Sequence, residues 1–138
     1  MTGEYQHNLD AKGRLFIPAR LREKLGNVFY ATVSSENCLA VYSNEVWQRM
    51  SDKASAMTLE QQKKVRLLFV LAAKCEPDAQ GRILIPQNLR DFAKLDKSVT
   101  VTGCNDHAEI WDSAAWEEVK REQNNPENIA AMLREVGF

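Results

Sequence analysis

"DAKGRLFIPARLR" occupies Asp10–Arg22, and "DAQGRILIPQNLR" occupies Asp78–Arg90, 68 positions further along. Eight of the thirteen letters are identical, and two more pairs, Leu15/Ile83 and Phe16/Leu84, exchange one apolar side chain for another. The likeness extends outward. "VFYATVSSENCLAVYSNEVWQRM" follows the first copy and "VTVTGCNDHAEIWDSAAWEEV" the second. Aligning Val41-Tyr42-Ser43 with Ile110-Trp111-Asp112, and Trp47 with Trp116, moves the offset from 68 to 69, as one inserted loop residue would do. Two units result, 4–50 and 74–119, linked by 51–73 and followed by 120–138. Two copies fall short of the three or more that a stacked solenoid needs. One pseudo-symmetric domain over 1–138 is therefore expected.

Within a unit the local signals are mostly β. Tyr5–Leu9 leads into Asp10-Ala11-Lys12-Gly13 and then Arg14–Ile17. Asp at the first turn position and Gly at the fourth is type I turn chemistry with a glycine bulge, which predicts a hairpin. Pro18 stops the strand and suits the first turn of a helix. The helix "PARLREKLG" places Leu21 and Leu25 on one face and Gly26 at its C-terminus. Val28–Val33 and Cys38–Tyr42 read as strands around a polar turn, and Asn44 as the N-cap of a helix carrying Val46, Trp47 and Met50. The second unit repeats this order, with Pro86 opening its short helix and Asp112 capping its last one. Thr58–Gln61, "TLEQ", fits a capping box opening a helix through Val65, Leu68, Phe69 and Ala72. Asn125-Pro126-Glu127 starts an amphipathic tail helix with Ile129, Met132 and Leu133 on one face. Whether that face covers its own domain or a neighbouring subunit is open. The fold class expected is mainly β with peripheral helices (α+β), with Trp47, Trp111 and Trp116 in the core.

Composition bounds the rest. At 15.7 kDa and 44% hydrophobic residues the chain can bury a core without metals or disulfides. The longest apolar run, Leu67–Ala73, is far below the roughly 18 residues that span a bilayer, and no apolar N-terminal run resembles a signal peptide. Three widely spaced cysteines, Cys38, Cys75 and Cys104, suit a reducing cytoplasm. Net charge is −1, but it is polarised. Asp10–Lys24 carries five bases against two acids, and Glu109 onward carries seven acids against three bases. That asymmetry fits either a polyanion site or a solvated charged surface.

Most residues that the two copies share have structural roles: Gly13 and Gly81 in the turn, Ile17 and Ile85 in the core, Pro18 and Pro86 at helix starts. Arg14 and Arg82 fit such roles less well, since each long cation follows the turn glycine directly. An Asp–Arg ion pair bracing the turn is one reading. The other is a guanidinium offered to phosphates or guanine edges, which arginine binds bidentately. An aspartate four residues back can serve both.

"GEYQHNLDAKGRLFIPARLR" with "CEPDAQGRILIPQNLR" closely resembles the MraZ family of bacterial transcriptional regulators, over essentially the whole chain. The resemblance implies that each unit is an AbrB-type (SpoVT–AbrB) module. It further implies that the two together form a swapped-hairpin, double-psi-like β-barrel within one chain. It implies binding to double-stranded DNA at short direct repeats near the chain's own promoter, assembly into a closed homo-oligomeric ring, and a cytoplasmic, nucleoid-associated location. The family's Asp-x-x-x-Arg pattern falls on Asp10 and Arg14, and on Asp78 and Arg82. Lys12 supports the first pair, and Arg20, Arg22 and Arg90 are secondary basic candidates. Pro77 departs from the family, standing where an apolar strand residue is more usual. So does Ala79, where lysine is often found, which leaves the second tip less cationic.

No catalytic motif emerges. The only histidines are His7 and His107. Cys104-x-x-His107 is a lone half-site without a second pair, so no metal or cofactor is expected. No Ser-His-Asp set, phosphate-cradling loop or HExxH is present. An antitoxin-like or scaffold interaction module is the alternative to a DNA binder. RNA is disfavoured because no exposed aromatic platform is evident.

Overall fold

The repeated turn is built as its residues dictate. In the computed structural model, which describes residues 1–138, Gly13 and Gly81 have φ of 83° and 80°. Each turn closes through a glycine amide donated to the aspartate carbonyl, Gly13 to Asp10 at 3.0 Å and Gly81 to Asp78 at 2.9 Å. The strands on either side then part company. In the first repeat these are β1 (Glu4–Asn8) and β2 (Arg14–Phe16), followed by α1 (Ala19–Leu25), β3 (Phe29–Val33), β4 (Leu39–Ser43) and α2 (Asn44–Ser55). After α3 (Leu59–Val70), the second repeat runs β5 (Ala73–Cys75), β6 (Arg82–Leu84), α4 (Gln87–Phe92), β7 (Ser98–Cys104), β8 (His107–Asp112) and α5 (Ser113–Gln123), and the tail is α6 (Pro126–Glu135).

Four of the six strand pairings cross the repeats; only β3–β4 and β7–β8 stay within one. The main sheet has the order β1-β7-β8-β4-β3-β5, and β2 pairs only with β6. Exchanging each strand for its counterpart reads the same order backwards, so a pseudo-two-fold axis passes between β4 and β8 and between β2 and β6. Two expectations are corrected here. β1 and β2 do not form a paired hairpin: one joins β7, the other β6. The strands also do not close into a barrel, because the six-stranded sheet keeps open edges at β1 and β5. The physical reason lies in the short strands. β2 and β6 are three residues each, bounded by a glycine turn and a proline that has no N–H to continue a ladder. Pro77 likewise removes the donor that its equivalent, Leu9, gives to the Lys97 carbonyl at 2.8 Å.

Register refines the internal alignment. Phe29 faces Cys75 and Ser43, while Val99 faces His7 and Asp112. Positions 29 and 99 are thus equivalent and 70 apart, which means two residues inserted before β7 and one fewer in the β7–β8 turn, rather than a single insertion.

The core lies between the sheet and a layer made of the β2–β6 ribbon, α1 and α4. Leu15 and Ile83 face each other across the ribbon, and Ile17, Leu21, Ile85, Leu89, Phe29, Val99, Val101 and Ile110 pack with them, all 2% exposed or less. Truncating one of these leucines to alanine would cost about 2–5 kcal/mol. The opposite face of the sheet carries α2, α3 and α5. There Trp47 stacks on Tyr30 at 5.0 Å and meets Phe69 at 5.2 Å. Trp111 is buried as expected, but Trp47 and Trp116 are half-buried. Trp116 instead donates Nε1 to Glu4 on the β1 edge at 2.8 Å, beside the Lys120–Glu4 ion pair.

Helix ends follow local chemistry. Both capping-box bonds form between Thr58 and Gln61, and Asp112 caps α5. Ser43, rather than Asn44, caps α2, accepting from the Val46 amide at 3.2 Å. α6 is capped by Asn125 and buries none of its residues. No helix is long and apolar enough to cross a membrane.

Candidate nucleic-acid interface

The two Asp-x-x-x-Arg turns have the same internal wiring. Asp10 Oδ1 accepts from the amides of Lys12 (2.9 Å) and Arg14 (2.8 Å), and its Oδ2 accepts from Arg14 Nε at 2.7 Å. Asp78 Oδ1 accepts from the amides of Gln80 (2.9 Å) and Arg82 (3.0 Å), and its Oδ2 from Arg82 Nε at 3.0 Å. The Arg14 amide, foremost, holds the Asp10 carboxyl below its ordinary value, and the Arg82 amide does the same for Asp78. Both carboxylates are thus charged acceptors across the neutral range.

That wiring reconciles the two readings of the arginines. Each guanidinium hydrogen-bonds within the chain only through Nε. Its terminal nitrogens remain available, and the side chains are 34% and 30% exposed. A guanidinium pinned at Nε presents a pre-oriented fork, the geometry that binds a phosphate or a guanine edge bidentately.

The ribbon puts both forks on one surface. Arg14 faces Leu84, and Phe16 faces Arg82. Because Leu15 and Ile83 point into the core, strand alternation turns Arg14, Phe16, Arg82 and Leu84 outward together. The arginines are therefore diagonal neighbours on adjacent strands, roughly 7–8 Å apart at the backbone, and not the tips of separate projections. Leu84 is 61% exposed, an apolar residue set between cations.

The secondary basic residues divide. Arg22 Nε donates to the Ile17 carbonyl at 2.8 Å, and Arg90 Nε to Ile85 at 2.9 Å. Each then lies across the other repeat's turn, Arg22 over Gly81 and Arg90 over Gly13. Arg22 also sits 5.6 Å from the Phe16 ring centroid, a cation–π distance that Leu84 cannot offer Arg90. Lys12 is exposed on the turn, and Arg20 is exposed on α1 without a hydrogen-bonding partner. Asp10, Lys12, Arg14, Asp78, Arg82, Arg22 and Arg90 are thus gathered at the ribbon, while Arg20 stands apart. Sequence reasoning missed Phe16 and Leu84 as members of this surface. The alternation about Leu15 and Ile83 was the signal that could have found them.

Comparison with known proteins agrees on one family. The family model described as "MraZ protein, putative antitoxin-like" matches twice, over residues 1–70 and 68–136. A "Transcriptional regulator MraZ" of Acetivibrio thermocellus is 42% identical over 140 aligned positions, covering 99% of this chain and 98% of the relative. Relatives of the same name from Carboxydothermus hydrogenoformans and Moorella thermoacetica are each 46% identical. They cover 83% and 89% of this chain, and 82% and 88% of their own lengths.

Proposed function

The chain belongs to the MraZ family, and from that premise we propose that it is a DNA-binding transcriptional regulator. The relatives' names support regulation. The observation that carries the reading is the pair of aspartate-braced arginines sharing one outward face of a pseudo-two-fold ribbon. Two matched cationic forks suit a duplex, whose phosphates recur regularly and whose guanine edges accept two hydrogen bonds.

The finer reading has several parts. The interlocking of first strands between repeats supports the swapped-hairpin arrangement of AbrB-type modules. The chain represses its own division and cell-wall operon, acting in the cytoplasm at the nucleoid. Its operator consists of short direct repeats, and its active form is a ring. A single subunit offers few phosphate contacts, each adding about 0.9 to the salt slope. Subunits engaging successive repeats convert later contacts into intramolecular ones, raising avidity by about 10²–10⁴. The apolar side chains left exposed on α3 (Leu59, Leu67, Val70) and on α6 (Met132, Leu133) support such self-assembly.

The test is fluorescence anisotropy on duplexes from the chain's own upstream region, with the direct repeats intact or scrambled, across a salt series. Tight, salt-steep binding that needs the repeats is expected. Operator affinity unchanged in Arg14→Ala would overturn the assignment of the site. The second reading is an antitoxin-like interaction module, favoured by the unpartnered apolar face of α6. It predicts salt-insensitive capture of a partner protein and no retention on heparin.

A further inference from the structure

At the far end of the β7–β8 hairpin, a different set of side chains converges. The turn is two residues, Asn105-Asp106, with Asn105 at φ 69°, and it sets Cys104 directly opposite His107. Glu109 lies two positions beyond His107 and so shares its face of the strand. Ligand atoms of Cys104, His107 and Glu109 all lie within 4.8 Å of one another, and all three residues are partly buried. The sequence reading held two of the three, Cys104 and His107; Glu109 joins them through strand alternation.

Two neighbours hold these groups in a ligating pose. His107 Nδ1 stands 2.9 Å from Asp106 Oδ1, a carboxylate that can only accept. His107 Nε2 lies 3.7 Å from Glu109 Oε2, so the ring bridges the two carboxylates; with a metal on Nε2, the Nδ1 proton would be donated to Asp106. Trp111 Nε1 donates to the other Glu109 oxygen at 3.0 Å, leaving Oε2 unengaged by it. A carboxylate on the far nitrogen of a histidine is the standard outer support of a metal-bound imidazole. In a tetrahedral site with bonds of about 2.1 Å, ligand atoms lie roughly 3.4 Å apart, and His107 Nε2 and Glu109 Oε2 already stand 3.7 Å apart. No lysine or arginine forms an ion pair with Glu109; its only cationic partner is the His107 ring itself. His107 and Glu109 border a cavity of about 410 Å³ beside α3, with room for water as a fourth ligand on that side.

We propose that Cys104, His107 and Glu109 bind one thiophilic divalent cation of the zinc class, with water in the fourth position. One thiolate, one imidazole and one carboxylate make a donor set suited to zinc and its cobalt surrogate. Binding releases the Cys104 proton to solvent and changes no oxidation state. Asp106 is a positioning residue, acting through His107.

The experiment titrates Co²⁺, then competing Zn²⁺, into reduced, tag-free full-length protein, reading absorbance. One equivalent per chain is expected, with a thiolate-to-cobalt charge-transfer band that Zn²⁺ displaces. Cys104→Ser should remove the band. Asp106→Asn should weaken affinity about 10–100-fold, the usual cost of losing outer support of a ligating histidine, and Glu109→Gln, which removes a ligand, should weaken it more. Thermal melts of the metal-free variants establish that they fold. Absence of stoichiometric uptake by the wild-type chain overturns the proposal, whatever the variants do. So does a band that survives Cys104→Ser, or affinity indifferent to Asp106→Asn and Glu109→Gln, which would indicate a bare thiol.

Discussion

Arg22 of the first repeat lies across Gly81 of the second, its Cζ only 2.9 Å from where a β-carbon on that glycine would stand. Arg90 returns the contact over Gly13, at 2.8 Å. Each turn glycine is therefore held twice, by a positive φ and by the other repeat's arginine. Gly81→Ala should destabilise the fold by about 1–2 kcal/mol through the left-handed backbone alone, lowering Tm by a few degrees. Displacing Arg22 should add to this. In a double-mutant cycle, Gly81→Ala with Arg22→Ala should cost less than the sum of the single changes. Strict additivity would show that the contact carries no energy.

Arg14→Ala should abolish repeat-specific DNA binding while leaving particle mass unchanged, because its side chain lies outside the core. Arg82→Ala should weaken binding less, since Gln80 stands where Lys12 supports the first turn. Anisotropy titrations of both variants check this, and equal losses would show that the local charge difference is irrelevant.

The aspartate braces have a defined pH window. The native carboxyls of Asp10 and Asp78 lie below the ordinary 3.8. Depressed acids stabilise the fold fully above their unfolded pKa, and that contribution is lost as pH falls through the native value. The turns should therefore stay intact down to about pH 4. Carboxyl NMR should place both midpoints below 3.8. Arg14→Ala should raise the Asp10 midpoint only part of the way, because the Arg14 amide is the larger cause and survives the substitution. A complete return would assign the shift to the guanidinium instead.

Lys94 has φ 51° at the place where the first repeat has Gly26, at φ 84°. A lysine in the left-handed region costs about 1–2 kcal/mol, partly offset by the greater chain entropy of glycine. Lys94→Gly should raise Tm by one to a few degrees, roughly 0.5–1 kcal/mol. A lower Tm in calorimetry would mean the lysine side chain stabilises the corner.

Removing residues 126–138 should reduce the assembled mass without lowering the melting temperature of the subunit, since α6 buries none of its residues. Native mass spectrometry and a thermal melt test this together. An unchanged particle would place the contacts between subunits elsewhere.

What contiguous residues encode was legible in the sequence. Asp10 through Arg14 specify their turn, Thr58 and Gln61 their capping box, and Leu21 and Leu25 the buried face of their helix. Each depends on neighbours within a few positions, where backbone preference and side-chain reach suffice. The duplication itself, and the family to which it points, could likewise be read from the letters. Which strand joins which could not. Two repeats with the same strand order offer each strand two candidate partners, its own and its counterpart's, and only burial of the whole core chooses between them. That choice, made across about seventy residues, puts Arg14 and Arg82 on one ribbon, lays Arg22 over Gly81, and keeps the sheet open at its edges.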